Sequence, residues 1–339
     1  MTIVNDPTKP TSPRRMTTPE IDSKPLNGSL YCISAYFNPM GLSNRYENFC
    51  VFYQRMMQHD ANVLFAEMAL HERGFELPKV VNDNQLPVQV CTKHILWQKE
   101  NLLSLLLKHL PDDCDKVCWV DSDILFQHPD WQAEIHAALQ KYRVIQGYSF
   151  AAMLPKGVEF VDTIEIDSFP TRFDDCGKVY GYMCGMLHPK IQQWNGHPGF
   201  VWAARREELE KINFYNESII GGGDLLMARA STYHHYSADI CERNSRFQLA
   251  SYFPWAQRWC DTMGFSVGFA NNSIYHLYHG KISNRHLDAR LETLKNLDFD
   301  PSRDLIMQDN GLWSVTDEGE RLLTPVRLYF SSRQEDAIR

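Results

Sequence analysis

The chain lacks any run of about 18 continuous apolar residues, the length a membrane-crossing helix needs, so no membrane span is expected. Its first residues hold Pro, Thr and Arg but no apolar segment, so no secretory leader is expected either. A basic surplus is also missing: 34 Lys and Arg face 42 Asp and Glu, a formal charge of −8. That weighs against a general electrostatic grip on nucleic acid or on an anionic membrane. Nine cysteines are present, an odd number, and none form a Cys-x-x-Cys pair. They read as mostly buried thiols in a reducing, cytoplasmic compartment, not as a disulfide framework. No internal repeat and no second domain with its own core is legible.

What is present is a composition typical of soluble globular chains, long enough at 339 residues for one large core or two smaller ones. The chain is organised around Val117-Cys118-Trp119-Val120-Asp121-Ser122-Asp123-Ile124-Leu125. Four apolar, β-prone residues run into two carboxylates one residue apart, and apolar residues then resume. The apolar run reads as a buried central strand. Bare carboxylates cannot sit inside it, so the Asp pair belongs where the strand ends and meets water. In open α/β sheets that edge is where ligands bind. Two adjacent carboxylates repel each other, and a divalent cation is the simplest agent that holds both ionised.

In chain order, residues 1–27 carry five prolines among Thr, Ser and Asp and are expected to be a disordered tail. Leu30–Tyr36 reads as a strand. The helix after it has capping-box spacing at Asn44 and Glu47 and an apolar face of Tyr46, Phe49, Cys50, Tyr53, Met56 and Met57. Strands follow at 62–70 and 88–90, a helix at 94–110, the Asp121–Asp123 strand, a helix from Pro129 and a strand at 143–149. Alternation of this kind predicts a mainly parallel sheet with helices on both faces. Residues 150–197 are long, irregular and rich in Pro and Gly, which favours a functional segment over filler. A strand at 199–203 and a short charged helix at 205–212 come next. A helix then follows Gly221-Gly222-Gly223-Asp224, and a strand pair is expected around Asn271-Asn272.

Four constellations carry chemistry. Asp121 and Asp123 fit a metal site for a nucleotide-sugar diphosphate. They also fit the nucleophile pair of a haloacid-dehalogenase-type phosphatase, or a carboxylate pair that merely caps a turn. The phosphatase pattern wants Thr or Val two residues after the second Asp, where this chain has Leu125, and about ninety residues of α/β precede the motif. His276 and His279, at i and i+3, suit Mn²⁺ when combined with a carboxylate, and Lys281 beside them would neutralise phosphate. The three glycines allow close backbone approach and place Asp224 at a helix start, as an N-cap or as a general base. Trp97, Lys99 and Asn101, with Phe37, Asn38 and Arg45, are placed to frame a nucleotide.

Taken together, these residues resemble nucleotide-sugar glycosyltransferases of the GT-A fold over about residues 29–285. The parts come in that family's order: an opening strand, a Trp97-Gln98-Lys99 helix, Asp121-Ser122-Asp123, Gly221-Gly222-Gly223-Asp224, then His276-Leu277-Tyr278-His279. The stretch from His197-Pro198-Gly199-Phe200-Val201-Trp202-Ala203 to Asp224 is similar to the acceptor side of β-1,4-galactosyltransferases. The chain departs in having Gly223-Asp224-Leu225 where those enzymes have consecutive acidic residues, and two His where they have one Met and one His. Poorly characterised bacterial and phage-type GT-A proteins look similar as well.

The resemblance implies an α/β, GT-A (Rossmann-like) fold. One catalytic domain is implied at 28–285, with a nucleotide-sugar half at 28–149 and an acceptor half at 150–285. A mostly helical C-terminal extension at 286–339 follows. It implies Mn²⁺ or Mg²⁺ held by Asp121, Asp123, His276 and His279. A nucleoside-diphosphate sugar, UDP being the commonest, would be bound by Phe37, Asn38, Arg45, Trp97, Lys99, Asp121, Ser122 and Lys281. The acceptor would meet His197, Trp202, Gly222, Gly223 and Asp224, with Asp224 as base and inversion at the sugar carbon. That acceptor is a saccharide or another hydroxyl. Transfer to hydroxymethylated bases in DNA is the less favoured form, because of the acidic balance. A sugar- or nucleotide-binding module without catalysis is the rival from another class.

Overall fold

A computed structural model describes residues 21, 25–81, 86–156, 178–187 and 196–336. The elements begin β1 (Ser29–Phe37), α1 (Ser43–Gln58), β2 (Val63–Leu70), β3 (Val88–Thr92), α2 (Lys99–Leu107), β4 (Cys114–Val120), β5 (Ile124–Phe126) and α3 (Trp131–Lys141). They continue β6 (Val144–Gln146), β7 (Phe150–Met153), β8 (Lys178–Tyr180), α4 (Tyr182–Leu187), β9 (Val201–Arg205), α5 (Arg206–Ile212), α6 (Gly223–Ser231), α7 (Ala238–Arg243) and α8 (Arg246–Met263). The last are β10 (Val267–Phe269), β11 (Ser273–His276), α9 (Leu287–Asn296), α10 (Pro301–Asp304), β12 (Leu305–Met307), β13 (Trp313–Val315) and α11 (Leu323–Ser332).

A seven-stranded sheet runs β10-β6-β9-β4-β1-β2-β3. β9 is antiparallel to both its neighbours, and the remaining pairs are parallel. Side chains alternate across β4 as strand geometry requires. Val117 and Trp119 enter one buried layer with α2, α6 and α8, while Cys118 and Val120 enter the other with α1 and α3. Both faces are thus covered, which is what a mainly parallel sheet needs. This is the α/β architecture expected from the sequence. Leu294, Phe299, Leu312, Leu322, Val326 and Phe330, from the C-terminal residues, belong to the first of those layers.

Several expected details are corrected. The two strands flanking Asn271-Asn272 do not pair with each other. β10 joins β6 in the large sheet, while β11 lies in a second sheet ordered β5-β11-β7-β8. The apolar residues after Asp123 likewise leave the first sheet, and β5 pairs with β11. The helix expected from His94 begins only at Lys99. No capping box forms on α1: the carboxylate of Asp336 accepts from the Ser43 and Asn44 amides at 2.8 and 2.9 Å. The tail expected at 1–27 lies largely outside the described residues, although Ile21 and Leu26 hydrogen-bond to Lys141 and Gln140. Much of the irregular 150–197 segment also lies outside them. The eight described cysteines are free, and no described helix is long and apolar enough to cross a membrane.

Candidate functional site

β4 is apolar from Val117 to Val120 and ends there, so Asp121-Ser122-Asp123 forms the turn at its carboxyl end. The Ile124 amide closes that turn on the Asp121 carbonyl at 3.2 Å. Because β5 then pairs antiparallel with β11, Ile124 faces His276, and the Leu277 amide donates to the Asp123 carbonyl at 2.9 Å. Strand pairing therefore delivers the late imidazoles to the early carboxylate.

Asp123, His276 and His279 present ligand atoms all within 4.8 Å of one another. The two Nε2 atoms are 2.9 Å apart. Asp123 Oδ2 lies 3.4 Å from His279 Nε2 and 3.8 Å from His276 Nε2. Asp123 Oδ1 is buried with no hydrogen-bond partner. Burial holds His276 well below the usual imidazole range, with His279 and Arg285 adding to it. Burial, then Arg285, lowers His279 to about 3. Burial, then Asp121, raises Asp123 to about 7 against the pull of Arg285 and Arg45. Neutral imidazoles, an orphaned carboxylate oxygen and a carboxylate reluctant to ionise alone together fit a divalent cation.

Asp121 stands outside this group of three. Its Oδ1 lies 2.6 Å from Lys99 Nζ, and Lys99 reaches Asp224 Oδ1 at 3.0 Å. Burial pulls the Lys99 ammonium down, but Asp121, Asp224 and Glu100 outweigh it and raise it above the ordinary lysine range. Asp224 sits in the first turn of α6, after Gly221 and Gly222 at φ +83° and +99°. Those angles are open to glycine and strained for other residues. A Cβ at Gly199 would lie 3.1 Å from both Asp224 Oδ2 and the His197 ring, so glycine there keeps the two side chains free. Phe200, at φ +78°, accepts the Asp121 amide at 2.9 Å and stacks on His197 with centroids 3.8 Å apart. A left-handed Phe is a strained feature of the kind that clusters at functional sites.

These residues line one cleft of about 290 Å³, together with Phe37, Arg45, Trp97, Ser122 and Gly222. Five expected residues do not line it. Asn38 is buried and clamps its own turn, bonding both ways to the Leu42 backbone. Trp202 is a core residue opposite Trp119 across β4 and β9, with its indole on the Pro198 carbonyl. Gly223 packs against Glu100. Lys281 is exposed. Asn101, also expected near the nucleotide, is bonded to the Gly311 carbonyl at 3.0 Å.

The C-terminal residues supply what the sequence reading missed. Arg285 Nη2 lies 2.7 Å from His279 Nε2, and Arg333 Nη2 lies 3.1 Å from His279 Nδ1. Glu335, fully buried, pairs with Arg45 at 2.7 Å and Arg333 at 2.5 Å. Phe330 stacks on Trp97 with centroids 6.2 Å apart.

One buried group gives a direct pH test. Burial, then Asp224, lifts Glu100 to about 8 against the pull of Lys99. A carboxyl raised on folding stabilises below its unfolded value and loses that contribution as pH rises through its folded value. Stability is therefore expected to fall from about pH 4.5 to about pH 8. Glu100→Gln is expected to flatten that fall in thermal melts. An unchanged slope would show that another group sets it.

No protein-family model and no curated protein matches the chain. Among solved structures, the catalytic domain of Drosophila β1,4-galactosyltransferase 7 in complex with xylobiose is similar at 12% identity and a TM-score of 0.33, covering 72% of this chain and 66% of that one. Glucosyl-3-phosphoglycerate synthase from Mycobacterium tuberculosis, in complex with Mg²⁺ and UDP, aligns at 11% identity and a TM-score of 0.39, covering 86% and 88%. The 4-diphosphocytidyl-2C-methyl-D-erythritol synthase from Anaerococcus prevotii aligns at 10% identity and a TM-score of 0.33, covering 72% and 86%. The chain spans just under two thirds of the galactosyltransferase domain. Likeness this loose concerns the path of the chain and not its chemistry.

Proposed function

We propose that the chain is a divalent-metal-dependent glycosyltransferase of GT-A type, moving a sugar from a nucleoside-diphosphate sugar, UDP first among them, to an acceptor hydroxyl with inversion. One observation carries the reading: a carboxylate and two neutral imidazoles converge at the carboxyl end of the central strand, in the same cleft as a second carboxylate pair bridged by lysine.

Asp123, His276 and His279 would hold the cation, and imidazole beside carboxylate favours Mn²⁺ over Mg²⁺. When bound, it supplies the positive charge that stabilises a departing diphosphate. Arg285, beside the triad, takes the phosphate-neutralising part expected of Lys281, and its planar guanidinium suits phosphate oxygens. Arg45, fixed by Glu335 and by the Phe37 carbonyl at 3.0 Å, shapes the wall where a nucleoside would sit. Lys99 holds Asp121 and Asp224 in a fixed relation. Asp224, with Oδ2 turned to the open side at Gly199, accepts the proton of the attacking hydroxyl. Two imidazoles on Asp123 favour this reading over a dehalogenase-type phosphatase, which needs Asp121 as an unencumbered nucleophile.

Calorimetric titration of UDP into the full chain tests it. Binding is expected to require Mn²⁺ and to weaken at least tenfold in His276→Ala. Tight UDP binding indifferent to metal, or none at all, would count against the proposal.

A further inference from the structure

The cleft holds more guanidinium groups than a donor diphosphate and its cation call for. Arg45 and Arg333 are engaged with Glu335, and Arg285 stands at the triad. Arg243 and Arg290 also line the cleft, Arg243 where it is bounded by Gly222, Leu225 and Leu291, and Arg290 beside Gly221, where it shares the Tyr329 hydroxyl with Arg333. Arg290 is the more telling of the two. Its Nη1 lies 3.5 Å from where a Cβ on Gly221 would be, so only the bare glycine backbone separates it from the start of α6. It donates to the Tyr329 hydroxyl, but no described carboxylate lies within ion-pair distance. Its Nε is buried with no hydrogen-bond partner. The acidic group that acts on it across the cleft is Asp224, whereas Arg285 faces Asp123 and Glu335.

A buried guanidinium edge without a partner is costly unless an anion completes it. A guanidinium suits the planar, bidentate grip on a carboxylate or phosphate, and both Arg243 and Arg290 line the cleft. The donor diphosphate belongs with the metal triad, and Asp224 belongs with the attacking hydroxyl. We infer that the acceptor carries an anionic group, a phosphate monoester or a carboxylate, held by Arg243 and Arg290 while its hydroxyl meets Asp224. This inference rests on the glycosyltransferase reading and adds the chemical class of the acceptor.

The test uses the full chain loaded with UDP and Mg²⁺, so that the donor end is filled. Inorganic phosphate and acetate are titrated in turn and followed by calorimetry. At least one anion is expected to bind in the millimolar range or tighter. Phosphate ahead of acetate assigns a phosphate monoester, and the reverse order assigns a carboxylate. Arg290→Gln and Arg243→Gln, each with its melting temperature recorded, are expected to weaken that binding about tenfold or more. Should one variant fail to fold, the other carries the test. Neither anion binding the UDP-loaded wild type, or binding equally well in the folded variants, would overturn the inference and leave the enzyme reading intact. Failure of UDP to bind with Mg²⁺ or Mn²⁺ would overturn that reading and this inference with it.

Discussion

Replacing Asp123 by alanine is expected to reduce metal-dependent sugar transfer by ~100-fold or more. Even an outer partner of a metal ligand is worth ~10–100-fold in affinity or activity, and Asp123 is the only carboxylate of the described ligand group. The fold is expected to persist, because Asp123 lies in a turn and its Oδ1 has no partner to lose. Removing a carboxylate that burial already disfavours relieves a cost in the metal-free protein. The variant should therefore melt at or above the wild-type temperature without metal and lose the wild-type gain when Mn²⁺ is added. Full activity in Asp123→Ala would remove the metal site from the account.

The second large effect is at Asp224. Asp224→Asn keeps the shape of the side chain and a contact to Lys99 but cannot accept the acceptor's proton. Transfer is expected to fall by ~10²–10⁴, the usual worth of a positioned general base, while UDP binding with Mn²⁺ is retained. The split between the two readouts separates a base from a helix-start residue: a cap alone would cost stability and leave turnover. Unchanged transfer with a lowered melting temperature would assign Asp224 to the helix.

Much of the candidate site was legible because it depends on local pattern. The apolar run of β4 stopping at Asp121 is readable from burial alone, and so is the helix start after the glycines. His276 and His279 stood out by spacing. What escaped was set by distant chain. Lys281 attracted attention because it follows His279 in sequence, yet Gly280 turns the backbone at φ +93° and Lys281 is exposed. Arg285, four residues on, comes back to the imidazole instead. Glu335 and Arg333 reach His279 and Arg45 across more than fifty residues of chain, and no window of local periodicity contains such a contact.

The same reason explains Asp336 at the start of α1, in place of the capping box that Asn44 and Glu47 suggested. The strands on either side of Asn271-Asn272 were legible, but sheet membership is a tertiary choice, and the two strands went to different sheets. α8 is a different kind of miss. Tyr252, Trp255, Ala256, Trp259 and Met263 recur at helical spacing and are buried, so the pattern was there to be read despite Pro254.

The central claim is that a cation held by Asp123, His276 and His279 assists the departure of a nucleoside diphosphate from a sugar. The most direct measurement is nucleotide release by the full chain from a panel of nucleotide sugars, with Mn²⁺ and again after chelation. The account expects release from at least one donor, abolished by chelator and restored by added Mn²⁺. Release that continues unchanged in chelator, or no release and no transfer from any donor with metal present, would contradict it.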